Sequence, residues 1–457
     1  MSAELLGERR VKIALLGGGG FRTPLAYAAL DSVADSACIS ELILHDVAAD
    51  RLEHMRLVLD GLADQGARRL PVRVTTDLED AVRGADFVWC AIRVGGLEGR
   101  SIDERVPVRE GVVGQETTGP GGICFALRSV PVLLDIAHTV ARQAPRAWFI
   151  NFTNPVGLTT EALQQVLGSR VVGVCDTPTG LCRRVAQLLE RSACQVWFDY
   201  FGLNHLGWLR AVVDESGDCL PWLLADAQRL RSLRETSVFG VARLRELGML
   251  PNEYLYYYER SASAVDAARQ GRGRAEYLLA QQGAFYAQRF ATPGEALSAW
   301  RAAWRERERT YMTEAAPPDN AADIDAAPPT EGYARLAAHL LEALVRNTRR
   351  VMILDTANRG SLPCFDAAAV VEVPCVVGSH GVVPVAVGDV PTHAVSLMQT
   401  IKNVERLTVQ AAIEGSAACV LEALASHPLV GSTGLARRIF DGYRAEHPWL
   451  RARFGLG

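Results

Sequence analysis

Residues 11–20 read VKIALLGGGG, a nearly continuous apolar run that passes straight into four glycines. It lacks the strict alternation of a half-buried strand. An apolar run of this length ended by glycines is the pattern of a strand covered on both faces that stops in a tight turn. Downstream, ELILHDVAADRLE opens a second strand that closes on an acidic residue, Asp46. RVTTDLEDAV, ADFVWCAIR and AWFINFTNP supply further strands, separated by helical stretches such as LRSVPVLLDIAHTVARQ. Strands alternating with helices predict a doubly wound parallel sheet with right-handed crossovers.

The expected fold class is therefore α/β, a Rossmann-type sheet followed by a second, mixed α+β and largely helical domain, as in lactate and malate dehydrogenases. A chain of 457 residues has room for two such domains and a large core. We place a dinucleotide-binding domain at 10–200 and a substrate domain at 201–457. After WFDYFGLNHLGWLRAVV the pattern is mostly helical, apart from a strand-like block, AAVVEVPCVVGSHGVVPVAVG, at 368–388. The segment 313–330, TEAAPPDNAADIDAAPPT, has no hydrophobic periodicity and is expected to be a mobile loop.

With Lys+Arg 48 against Asp+Glu 52, the chain carries no basic excess to neutralise a phosphate backbone, so nucleic acid is not an expected partner. Ten cysteines are scattered without a CxxC pair, which suits reduced thiols better than a disulfide framework. No apolar signal core opens the chain and no run approaches the roughly 18 apolar residues of a membrane span. The expected setting is cytoplasmic.

Gly17, Gly18, Gly19 and Gly20, with Phe21 behind them, lie between a strand and a helix, where backbone amides and a helix N-terminus approach a pyrophosphate. Asp46 is placed to accept from a ribose hydroxyl, which favours NAD over NADP. The full G-x-G-x-x-G is absent, because Arg22 stands where the third glycine belongs. NFTNPVG brings Asn151 and Asn154 to the carboxyl edge of the sheet, as in the loop where lactate and malate dehydrogenases meet nicotinamide and substrate. An ordinary Asx turn before proline would produce the same residues.

Cys175, in VVGVCDTPTG, also ends an expected strand, and His205 lies thirty residues on in GLNHLGW. A single cysteine there serves either as a small core hydrophobe or as a ligand. A thiolate and an imidazole on neighbouring strand ends can share a divalent metal and leave positions open for substrate oxygens.

GGGGFRTP, RVGGLEGRSIDERVPVREGVVGQETTGPGG, INFTNPVG, VCDTP, GLNHLGW, LPNEYLYYY and VVEVPCVVG occur in this order. From about residue 10 to 445 the chain resembles glycoside hydrolase family 4. That family departs from two-carboxylate glycosidases by depending on NAD. The resemblance implies that NAD+ takes hydride from C3 of a sugar and that a divalent metal, typically Mn2+, binds the oxygens on C2 and C3. A base then removes the C2 proton and the glycosidic oxygen leaves. It also implies Cys175 and His205 as metal ligands and Tyr254 as the base. Arg93 and Arg274 fall at positions near a sugar 6-phosphate, with Asn151 contacting cofactor and substrate.

Asp176 matches the residue thought to protonate the leaving oxygen in the 6-phospho-α-glucosidases of the family. RVGGLEGR and INFTNPVG are closer to the β-type. The expectation is hydrolysis of a 6-phosphorylated glucoside, with the β anomer slightly preferred on the extent of chain that supports it. The family further suggests a homodimer or homotetramer, no nucleic acid and no membrane. Two other readings share the glycine turn and Asp46: an NAD-dependent 2-hydroxy-acid dehydrogenase, and a non-catalytic dinucleotide-binding sensor. Neither needs Cys175 and His205 on a metal. The glycine-rich GQETTGPGG brings Gln115, Glu116 and Thr118 to the same edge without an assigned step.

Overall fold

The computed structural model describes residues 10–66, 70–193, 195–271, 274–310 and 332–455. The loop expected at 313–330 lies outside the described residues. The first half supplies β1 (Val11–Leu16), β2 (Ile39–His45), β3 (Val72–Thr75), β4 (Phe87–Cys90), β5 (Trp148–Asn151) and β6 (Val171–Gly173). They pair in parallel in the order β3-β2-β1-β4-β5-β6, so the order reverses between β1 and β4. In open α/β sheets that reversal opens the ligand crevice at the carboxyl ends of the strands.

β1 and β4 are apolar because helices cover both faces. All four residues of FVWC are buried, and so is every residue of VKIALL except Lys12. Two of the covering helices are Thr23–Ser32 and Pro120–Gln143. Pro120–Gln143 is long and apolar enough to cross a membrane by length and composition, but 72% of its apolar window is buried, as in a core helix.

A second, small antiparallel sheet contains β7 (Trp197–Leu203), β8 (Leu206–Asp214), β9 (Gly217–Asp218) and β10 (Leu250–Pro251). The strand block expected in the second domain does not stay there. β11 (Arg350–Ala357), β12 (Val370–Gly378) and β13 (Gly381–Pro384) extend the first sheet beyond β6, all antiparallel. The sheet is therefore mixed and nine-stranded, and it runs across the boundary drawn at 200/201.

Register explains how the loops come together. Leu16, Cys90, Asn151 and Gly173 stand side by side across β1, β4, β5 and β6, and the same row continues to Asp355 and Glu372. The glycine turn, Ala91–Arg93, Phe152–Asn154 and Val174–Cys175 thus all emerge one residue past a common line. At a spacing of about 4.8 Å per strand, the ends of β1 and β6 are about 14 Å apart.

Asp355 and Glu372 face each other in this row and are both fully enclosed. Burial pushes both carboxyl groups up, Glu372 to about 8, even though Tyr200 and Asn204 donate hydrogen bonds to Glu372 at 2.9 and 3.4 Å. The folded chain thus holds a proton that the unfolded chain, with an ordinary glutamate near 4.3, has released. Stability contributed this way is complete below about pH 4 and falls as pH rises toward 8, by up to about 1.4 kcal/mol per pH unit for one proton. Glu372→Gln should flatten the decline in thermal midpoint between pH 5 and 8. A decline as steep as that of the parent chain would remove Glu372 as its source.

Candidate active site

The loops that pass the common row open into one cleft of ≈ 3180 Å³ whose wall includes Gly17, Gly20, Phe21, Asp46, Arg93 and Asn154. Gly17 has φ +87°, and a Cβ there would lie 2.7 Å from the Ala91 carbonyl oxygen, so β1 can turn tightly against the end of β4 only with glycine. The glycine amides, however, serve the turn itself. Those of Gly17 and Gly18 donate to the His45 carbonyl at 2.9 and 2.8 Å, that of Gly20 to Gly17, and that of Gly19 to Asp46 Oδ2 at 3.0 Å. Asp46 Oδ1 accepts from the Ala48 amide at 3.1 Å. Gly18 and Gly19 do not line the cleft. The turn presents Gly17, Gly20 and Phe21, with the N-terminus of Thr23–Ser32 behind them.

Asn151 was expected to reach both cofactor and substrate. It is fully buried instead, and its amide holds the loop that follows. Its Nδ2 donates to the hydroxyls of Thr159 and Thr160 at 2.9 and 3.0 Å, and its Oδ1 accepts from the Thr153 amide at 3.0 Å. Asn154, three residues on, lines the cleft in its place.

Cys175, His205 and Tyr254 are buried just behind the wall, while their chain neighbours Asp176 and Glu253 form part of it. Cys175 precedes the helix Asp176–Leu188; burial pushes its thiol up, and Glu372 and Asp176 add to the effect. His205 occupies the turn between β7 and β8 with φ 61°, a left-handed conformation that is uncommon for histidine. The hairpin is narrow there. A Cβ on Gly207 would lie 2.3 Å from the Tyr200 hydroxyl, so GLNHLG requires its second glycine. The imidazole stacks on the Tyr254 ring with centroids 3.7 Å apart and planes 2° from parallel, and its Nδ1 meets the Thr117 hydroxyl at 2.8 Å. Burial holds His205 down at about 4, against the opposite pull of Glu116, so the ring is neutral near pH 7 and available as a ligand. Glu372 lies close enough to raise the Cys175 thiol and takes a hydrogen bond from Asn204, the neighbour of His205. A thiol and an imidazole are donor types that suit a borderline divalent metal.

Charge is concentrated beside His205, at the residue before Thr117. Glu116 Oε2 receives Arg93 at 2.6 Å and Arg100 at 3.0 Å. Burial alone would raise Glu116, but these two guanidinium groups hold it down at about 2. Asp176 behaves in the opposite way. Its carboxyl is raised by burial and by Glu253, with Arg22 and the Tyr333 hydroxyl pulling back.

Arg93 lines the cleft, already paired with a carboxylate. Arg274 does not line it. Its guanidinium donates to the Thr310 carbonyl at 2.9 Å, the Thr310 hydroxyl at 2.8 Å and the Arg307 carbonyl at 3.1 Å, so it fastens the end of the helix Pro293–Arg309. The residue missed from sequence is Arg307. It is buried, lines the cleft and is pushed down to about 9 by burial and by the nearby Arg22, Arg274 and Arg100. Trp300, Trp304 and Arg307 fall on one helical face, and that spacing was the available signal.

Residues 12–191 match the model of the family 4 glycosyl hydrolases, and residues 200–430 match that of the family 4 glycosyl hydrolase C-terminal domain. A maltose-6'-phosphate glucosidase of Bacillus subtilis is 31% identical over 450 residues, covering 95% of this chain and 95% of that protein. A probable 6-phospho-beta-glucosidase of the same organism is 29% identical over 449 residues, covering 96% of each. The 6-phospho-beta glucosidase of Thermotoga maritima, solved with manganese, NAD+ and glucose-6-phosphate, superimposes with a TM-score of 0.81 at 26% identity. The match covers 98% of this chain and 100% of that one.

Because the Asn151 amide satisfies buried hydroxyls and a buried N–H, Asn151→Ala should cost about 2–3 kcal/mol of stability, seen as a lower thermal midpoint of the ligand-free chain. An unshifted midpoint would return Asn151 to a purely ligand-binding role.

Proposed function

The chain belongs to family 4 of the glycosyl hydrolases, and from that premise we propose that it hydrolyses 6-phosphorylated α-glucosides with NAD and a divalent metal such as Mn2+. The observation that carries the anomer is Asp176, a cleft carboxyl raised by burial and by Glu253, one residue from Cys175. A group raised in this way suits protonation of a leaving oxygen. The expectation of a β-glucoside rested on RVGGLEGR and INFTNPVG. Those segments build the loop at Arg93 and the Asn151 lock. The β reading keeps the support of the 29% identical probable 6-phospho-beta-glucosidase.

The glycine turn and Asp46 would hold the dinucleotide, and Cys175 and His205 the metal. When bound, these groups supply a hydride acceptor and a Lewis acid. The protein's own residues do the rest. Tyr254, stacked on His205 and near the Arg100 guanidinium, is positioned to take a proton from the sugar carbon. Asp176 gives its proton to the departing oxygen. Arg307, enclosed and facing Arg22 and Arg100, lacks enough negative charge around it, since among the described residues its one ion pair is with the Glu308 carboxylate at 3.0 Å. A phosphate dianion would correct that imbalance, and a planar guanidinium can take two of its oxygens. Arg274 acts behind Arg307 by fixing the helix end.

Assayed side by side with NAD and Mn2+, p-nitrophenyl α-glucoside 6-phosphate should be cleaved faster than the β compound, with no net NADH. Stoichiometric NADH from a 2-hydroxy acid would instead support a dehydrogenase. Asp176→Asn should slow cleavage of the α compound by about 10²–10⁴-fold, the range expected for loss of a general acid. A faster β substrate and an indifferent Asp176→Asn would reverse the anomer. Arg307→Ala should raise KM for the phosphorylated substrate by about 10- to 150-fold, the loss of one charged hydrogen-bonding partner, with NAD affinity unchanged. An unchanged KM would move the phosphate away from Arg307.

A further inference from the structure

The turn Gln115–Thr118 is tied together by one side-chain oxygen. Gln115 Oε1 lies 2.6 Å from the Thr117 amide nitrogen, 2.7 Å from the Thr118 amide nitrogen and 2.8 Å from the Thr117 hydroxyl. Backbone amides only donate, so the atom they converge on is the carbonyl oxygen of Gln115 and not its NH₂. An oxygen of that kind only accepts. The Thr117 hydroxyl has a single hydrogen, and at this distance it is given to Gln115. Its contact with His205 Nδ1 at 2.8 Å must then run the other way, with Nδ1–H donating to Thr117 Oγ1.

We propose that Gln115 and Thr117 are positioning residues that hold the hydrogen of His205 on Nδ1, so that Nε2 is the nitrogen presented to the divalent metal. Two further features fix the ring in that orientation. The left-handed backbone at His205 aims the side chain from the hairpin turn, and the face-to-face stack on Tyr254 sets its plane. A hydrogen bond from the second ring nitrogen is the usual way in which a histidine ligand's tautomer and direction are set, and losing such a partner typically costs 10–100-fold in metal affinity. Gln115 contributes indirectly. It consumes the only hydrogen on Thr117, so that the hydroxyl cannot donate to Nδ1 and favour the other tautomer.

The inference rests on the proposed reading of His205 as a metal ligand, and the test separates the two. It uses the full chain, with Mn2+ affinity read from the paramagnetic resonance of the free ion and the His205 tautomer read from ring nitrogen shifts in histidine-labelled protein. His205→Gln identifies the signals. The parent chain should show Nδ1–H, while Thr117→Val should show a mixture of tautomers and bind Mn2+ about 10- to 100-fold more weakly. Thr117→Ser should restore both properties, and NAD affinity should be the same in all three. If His205→Gln abolishes Mn2+ binding while Thr117→Val keeps the Nδ1–H tautomer and parent affinity, the positioning role is overturned and the metal assignment stands. If His205→Gln leaves Mn2+ affinity intact, the metal assignment falls and takes this inference with it.

Discussion

The site is organised around one buried carboxylate. Glu116 binds Arg93, which follows β4, and Arg100, which sits on the helix Gly96–Arg109. Arg100 is shared with Glu104, whose second oxygen accepts the Ala275 amide at the start of the helix Arg274–Tyr286. Residues 93–116 thus meet a helix start 171 positions beyond Glu104, at charges that are nearly out of water except for Arg93. Removing one member of such a set leaves the others uncompensated, a loss of about 3–5 kcal/mol. Arg100 also acts on both Tyr254 and Arg307, so the arrangement that holds the wall together contributes to the field in the cleft.

The glycine turn is likewise fastened from the second half of the chain. Tyr286 donates its hydroxyl to the Gly19 carbonyl at 2.7 Å, and the Trp300 indole donates to the Phe21 carbonyl at 2.9 Å. Phe21 itself packs edge-on against Phe285 and stacks on Trp304. Position 22 departs from the dinucleotide fingerprint because a side chain is useful there. The Arg22 guanidinium lies 4.7 Å over the Tyr333 ring and faces both Asp176 and Arg307, which a glycine cannot do.

What was legible in the sequence follows from how local each signal is. Buried parallel strands and the turn that ends the first are written in consecutive residues, so VKIALLGGGG and its successors predicted the sheet and its carboxyl edge. Cys175, His205 and Tyr254 were visible as residue types, but the stacking of Tyr254 on His205 was not. Hydrogen bonding and long-range pairing were not legible. Nothing in NFTNPVG says that Asn151 turns inward to Thr159 and Thr160. The block containing β12 has the apolar character of any buried strand, so composition could not tell that it joins β11 on the first sheet. RERER reads as a solvated charge run until the helix is seated, when Arg307 turns inward beside Trp304. Arg274, an ordinary arginine by sequence, is drawn to the carbonyls at a helix end, a role that any nearby cation can fill.

The neutral state of the inner donors has a further consequence. A thiol raised by burial and an imidazole lowered by it add no charge of their own to the enclosed site, while the cleft wall carries the carboxyl groups of Glu116, Asp176 and Glu253 among the guanidinium groups of Arg22, Arg93 and Arg307, with Arg93 paired to Glu116. On the proposed reading, Cys175 and His205 would hold the metal, and Cys175 would do so as the thiolate, giving up its proton, because only the thiolate is a good ligand. The metal would supply positive charge of the kind that favours an ionised phenol such as that of Tyr254. Enclosure raises the cost of any unpaired charge, so without such a cation both donors are held neutral by burial alone.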